Sequence, residues 1–142
     1  MSFSLKQEAF KNVIKNLLIH ANTVFNKNDY DMLYKAYLKE TNLSAKNVLT
    51  QILQNIKIAK DTNRPLCQDT GIVNIFLEAG NVNFDFNMEK AIQEVVAESY
   101  IENFYRKSLV EDAVFSRKNT NDNTPPLIKT EILISSLSVN SV

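Results

Sequence analysis

From Leu5 to Ile56 the apolar residues recur at spacings of three and four, and the pattern changes only after Gly71. That spacing places side chains along one stripe of a helix, whereas a half-buried strand needs a spacing of two. Leu5, Ala9, Val13, Leu17 and Ala21, widened by Ile14 and Leu18, predict a first helix. Ser4 with Gln7 would form a capping box at its start. Tyr30, Leu33, Tyr34, Tyr37 and Leu38 predict a second helix beginning at Asn28 or Asp29. Ala45, Val48, Leu49, Ile52, Leu53 and Ile56 predict a third, capped by Ser44 and running out near Lys60. Asp61 to Pro65 is then a loop. After Gly71, "IVNIFLEAG" is short, apolar and β-branched, and it reads as a strand closed by Gly80. Asn87 is placed to cap a fourth helix, with Met88, Ala91, Ile92, Val95 and Val96 facing inward and the helix persisting to about Arg106. Ser116 to Pro126 is a polar loop, and Leu127 to Ser135 is a second strand candidate. The expected fold class is α+β, mostly α-helical with a small β-sheet portion.

Composition decides which functions such a fold can carry. Hydrophobic residues make up 44% and charged residues 23%, enough apolar material for a buried core and too little charge for wholesale disorder. Lys+Arg and Asp+Glu are both 16, so the basic excess usual for nucleic-acid or membrane-surface binding is absent. No apolar run approaches the roughly 20 residues that span a bilayer. The polar start, "MSFSLKQEAFKNV", does not read as a secretory signal. Two glycines cannot build the clustered glycine loops of Rossmann or P-loop phosphate sites. One cysteine forms no internal disulfide, and the expected compartment is the reducing cytoplasm.

That cysteine stands in an unusual setting. "RPLCQDTG", Arg64 to Gly71, sets Cys67, Gln68, Asp69 and Thr70 between a proline and a glycine. A turn needs the proline and the glycine but not the residues between them. A lone cysteine is most often a small buried hydrophobe, and a neighbouring carboxylate discourages a free thiolate. A metal reverses that logic by deprotonating the thiol. Cys67 as a metal ligand, with Gln68 and Asp69 directed at a substrate, is therefore coherent. His20, the only histidine, falls in the first helix far from Cys67 in sequence and reads as structural or surface rather than as half of a nucleophilic pair. The three arginines, Arg64, Arg106 and Arg117, read as solvated charges unless an anionic substrate is present, whose carboxylates a guanidinium fork matches. The Asn, Asp and Thr of "NTNDNTPP" suit turns, but the run is longer than one turn needs.

"NRPLCQDTG", "VVAESYIENFYRKSLV" and "KNTNDNTPPLI", in this order and spacing, resemble the N-terminal part of the class I fumarate hydratases and L-tartrate dehydratase α subunits. "VLTQILQNIKIAKDTNRP" also resembles the helix that precedes the family's cysteine, so the resemblance covers nearly the whole chain. It implies an alpha-type iron-sulfur hydro-lyase domain over residues 1–142, incomplete at its C-terminus. It implies reversible hydration of fumarate to L-malate with a 4Fe-4S cluster whose open iron binds the substrate. Residue by residue, Cys67 resembles a cluster ligand. Gln68 and Asp69 resemble the pair that contacts the dicarboxylate, with Asp69 as a proton-handling or hydroxyl-orienting group. Arg106 resembles the arginine that clamps a substrate carboxylate. Asn119 to Pro125 resemble the loop that follows, with no individual roles implied.

The family's other two cluster cysteines are not in this sequence, nor is the Lys-Gly-x-Gly segment expected after the second strand. The further arginines, the lysine and the catalytic threonine of the family's C-terminal β domain are not in it either, so the resemblance implies a C-terminal beta-type domain or subunit as partner, and a homo-oligomer of the complete enzyme; the charge balance and the lack of a long apolar run lead to the expectation of no nucleic acid and no membrane. Two alternatives stand beside fumarate hydration: an L-tartrate dehydratase α subunit, and a non-catalytic assembly subunit that keeps the motif without the cluster.

Overall fold

In the computed structural model the described residues are 3–80 and 82–133. Their elements run β1 (Phe3–Leu5), α1 (Gln7–Thr23), α2 (Lys27–Lys39), α3 (Leu43–Thr62), β2 (Asn74–Ala79), β3 (Val82–Phe84), α4 (Met88–Glu102) and β4 (Leu127–Ile132). The α+β class holds. β2 and β4 pair in parallel from Asn74↔Leu127 to Ala79↔Ile132, and β1 pairs in parallel with β3. Ile134 and Ser135, the last residues of the expected second strand, lie outside the described residues.

The core forms where α1 packs on α4. Phe10, Ile14 and Leu18 of α1 meet Ala91, Ile92, Val95, Val96 and Tyr100 of α4, with Val73 and Tyr105 completing the cluster. α4 follows its sequence pattern: the Asn87 side chain accepts from the Lys90 amide, and of its expected inward residues Ala91, Ile92, Val95 and Val96 are buried while Met88 is half-buried. Lys11 and Lys15 clamp the α1–α4 seam from outside through Glu94 and Glu102.

Several expectations are corrected. α1 is N-capped by Lys6, which makes no side-chain cap bond, rather than by Ser4 of the expected capping box, because β1 occupies Phe3–Leu5. The stripe of α1 is rotated from the one expected: Val13 and Leu17 are 57% and 62% exposed, while Phe10, one residue outside that stripe, is buried. Asn26 caps α2 and Asn42 caps α3, rather than Asn28 or Asp29 and Ser44. α2 packs against α3 with none of its residues buried. α3 ends at Thr62, where Asn63 takes a left-handed backbone (φ 52).

α4 stops at Glu102 instead of continuing to Arg106. Phe104 adopts φ 56, the amide of Tyr105 reaches the carbonyl of Tyr100, and the amide of Phe104 reaches that of Ile101. This pair of bonds is the Schellman ending, usually built on glycine. Its apolar contact is also present, with the Tyr105 ring edge-on to Tyr100 at 5.6 Å. Phe104 itself is 90% exposed. The stop turns the chain so that Arg106 leaves the helix and faces the "CQDTG" loop.

The seam of α1 and α4 should dominate stability. Ile92 is 0% exposed, so Ile92→Ala should cost about 2–5 kcal/mol, through lost burial and the cavity left behind. Urea unfolding of the chain measures this. A cost under about 1 kcal/mol would mean that the seam repacks and is not the core.

Candidate functional site

The motif loop is tied to the rest of the molecule at both ends. The amide of Leu66 donates to the carbonyl of Asn22 at the end of α1, and Asn55 of α3 donates from its side chain to the carbonyl of Leu66. Beyond the motif, Gly71 takes φ +64, a conformation that glycine reaches without a Cβ penalty. The Tyr100 hydroxyl lies 3.4 Å from the Gly71 carbonyl.

Between these anchors Cys67, Gln68 and Asp69 are all exposed. Cys67 lies at the edge of a groove of about 470 Å³ formed with Phe25, Ile52, Asn55, Ile56 and Leu66. Gln68 makes no hydrogen bond among the described residues. Asp69 is fixed. Its Oδ1 accepts from the Gly71 amide at 2.9 Å and from the Ser108 hydroxyl at 2.9 Å, and its Oδ2 lies 3.8 Å from Nη1 of Arg106. The Gly71 amide does most to hold the Asp69 carboxyl below its ordinary range; the Ser108 hydroxyl and the Arg106 guanidinium add to it. Asp69 is therefore a carboxylate across the physiological range.

The pairing of Arg106 with Asp69 is loose. Both side chains are more than half exposed, and 3.8 Å is long for a charge-assisted bond. An exposed pair of this kind contributes little to stability. What it does is keep a guanidinium beside the motif while leaving its fork free for another carboxylate.

The Asn-rich loop is built rather than merely polar. Asn121 and Asn123 take left-handed backbones (φ 66 and 63), which asparagine tolerates better than most residues. Asn119 donates from its side chain to the carbonyl of Lys107 and accepts from the amide of Asn121. Asp122 accepts from both the amide and the hydroxyl of Thr124. Asn123 is 0% exposed and binds Gly71, Ser108 and Leu109.

The structure thus brings Asp69 and Arg106 together beside Cys67 and Gln68, with the Asn119–Pro125 loop packed behind them. It does not bring in His20, which lines a neighbouring groove with Lys57 and Lys60 and has no hydrogen bond to Cys67. Arg64 and Arg117 are exposed and likewise outside the cluster. Ser108 and Asn123 are contacts that the sequence did not single out; the surplus length of the Asn-rich run was the one visible signal. Among the described residues no three His, Cys, Asp or Glu side chains converge to hold a metal ion. The exposed thiol of Cys67 fits a single ligand offered to a group held jointly with other residues. None of the described helices is long and apolar enough to cross a membrane.

Comparison with known proteins gives three relevant matches. The sequence model of the family described as "Fumarate hydratase (Fumerase)" matches residues 11–139. A Methanocaldococcus jannaschii protein named "Putative L(+)-tartrate dehydratase subunit alpha" is 47% identical over 64 residues, 44% of this chain and 22% of the relative. The L(+)-tartrate dehydratase subunit alpha of Escherichia coli O157:H7 is 30% identical over 129 residues, 87% of this chain and 42% of the relative. The chain therefore spans less than half the length of these curated relatives.

Proposed function

Because this chain belongs to the fumarate hydratase (Fumerase) family, we propose that it is the alpha-type portion of a hydro-lyase that interconverts fumarate and L-malate. The observation that carries this reading is the meeting of Asp69 and Arg106, 3.8 Å apart, beside an exposed cysteine. A second reading, tartrate dehydration on the same scaffold, is favoured by the relatives named as L(+)-tartrate dehydratase subunit alpha. The two substrate classes are four-carbon dicarboxylates, and Arg106 serves either.

The chemistry assigns each side chain a task. Water addition across a double bond flanked by carboxylates accumulates negative charge on one carboxylate in the transition state. Arg106 offers its fork to that carboxylate, exchanging its loose contact with Asp69 for two aligned bonds. Asp69, held ionised by Gly71 and Ser108, orients the adding hydroxyl or handles its proton. Gln68, exposed beside Asp69, supplies both a donor and an acceptor to the second carboxylate or to the hydroxyl. Cys67 would hold one iron of a 4Fe-4S cluster, which, when bound, would supply Lewis-acid chemistry to the substrate oxygen. The chain has one cysteine, so the remaining ligands are proposed to lie outside this chain. An oxygen-sensitive cluster fits the reducing cytoplasm, and the complete enzyme is proposed to be a homo-oligomer.

Anaerobic reconstitution with iron and sulfide, with and without the partner region, tests the reading. The joined protein should take up a cluster and turn over malate in preference to tartrate. The chain alone should hold no defined cluster and show no turnover. Activity of the chain alone, or a loaded joined protein that turns over neither substrate, would overturn it; preference for tartrate would favour the second reading.

A further inference from the structure

Asp69 is held by two donors, the Gly71 amide and the Ser108 hydroxyl, both 2.9 Å from its Oδ1. These donors come from separate segments. Gly71 ends the cysteine motif, and Ser108 follows the turn after α4. The side chain of Asn123 touches both segments. Its Nδ2 donates to the Gly71 carbonyl at 3.0 Å, and its Oδ1 accepts from the amides of Ser108 and Leu109 at 2.8 and 2.9 Å. One buried amide therefore grips the backbone on either side of the carboxylate. With Asn123 0% exposed, none of these bonds competes with bulk water, and a buried amide loses heavily when a partner is removed.

We infer that Asn123 is a positioning residue for the Asp69–Arg106 site: it sets the distance between Gly71 and Ser108, and thereby the place and orientation of the Asp69 carboxylate. The amide is suited to this because one end must donate to a carbonyl while the other accepts from two amides. Aspartate in its place would keep the acceptor but set an oxygen against the Gly71 carbonyl. Serine would be too short to reach both. The backbone of Asn123 itself is left-handed, which suits asparagine and disfavours most replacements. Only the catalytic consequence rests on the proposed function; the geometric claim does not.

Amide hydrogen exchange and NMR shifts of this chain test the geometry. In the unaltered chain the side-chain amide of Asn123 should exchange at least tenfold more slowly than a solvated asparagine; exchange at the solvated rate would overturn the inference. In Asn123→Asp and Asn123→Ser the carboxyl carbon of Asp69 and the amides of Gly71 and Ser108 should shift, while core amides such as Val95 stay protected. Unshifted Asp69 and Gly71 in a folded variant would overturn it. Should neither variant fold, the unaltered chain's exchange decides. In the joined, reconstituted protein, Asn123→Asp should lower kcat by roughly tenfold or more with KM changed less than about threefold, since a small misplacement of a reacting group is felt in the transition state. Shifts at Asp69 without a fall in kcat would make Asn123 a loop staple and overturn the positioning role. If the joined unaltered protein has no turnover, the function reading fails and the NMR result alone judges the geometry.

Discussion

Cys67→Ser, made in the protein that joins this chain to its partner region, is expected to abolish turnover and leave this domain folded. Serine is nearly isosteric, but its hydroxyl is a poor ligand for iron in clusters of this kind. Cys67 is exposed at the edge of a groove and lies outside the buried core cluster. Exposed substitutions away from caps and cores usually change stability little. The variant therefore separates ligand from scaffold. Its melting curve should overlay that of the unaltered protein, while cluster absorbance after anaerobic reconstitution is lost or altered. Unchanged absorbance together with unchanged activity would remove Cys67 from the metal site. Loss of the fold would show instead that the thiol is structural.

How far such assignments could be read from sequence differs by element, for physical reasons. α4 was legible because local and tertiary signals agree there: Asn87 caps it, and Ala91, Ile92, Val95 and Val96, spaced inward, are buried. α1 was legible as a helix but not in its facing. Two overlapping stripes satisfy the same period, and the choice of Phe10 over Val13 and Leu17 is made by α4 and β3, which lie far away in the chain. Three-residue strands such as β1 and β3 are too short for a period of two to register. The end of α4 was hidden because its left-handed residue is Phe104, and no glycine marks it. The site divides in the same way. Cys67, Gln68, Asp69 and Arg106 were singled out by residue type and by resemblance. The contact between Asp69 and Arg106 depends on the Schellman turn, which no local pattern announces. Ser108 and Asn123 looked like ordinary turn residues, because a buried amide bridging distant segments has the same letter as one capping a turn.

Arg106→Lys should not behave as a conservative change. In the chain as it stands, the two residues would differ little, since the contact with Asp69 is long and solvated. The difference arises when a substrate carboxylate displaces water from the site. Lysine keeps the charge there but presents a point rather than a planar fork, so one of two aligned bonds is lost. A charge-assisted bond at a desolvated site contributes about 1.5–3 kcal/mol. That corresponds to a fall in kcat/KM of roughly tenfold to more than a hundredfold. How the fall divides says what the arginine does. If the fork grips the carboxylate equally in ground and transition states, KM rises and kcat holds. If it tightens as charge builds on that carboxylate, kcat falls as well. The second pattern is expected, because Arg106 must first leave Asp69 and gains its full alignment only against the developing charge. An Arg106→Lys enzyme with unchanged kcat/KM for malate and tartrate alike would place Arg106 outside the site and leave its contact with Asp69 as surface electrostatics.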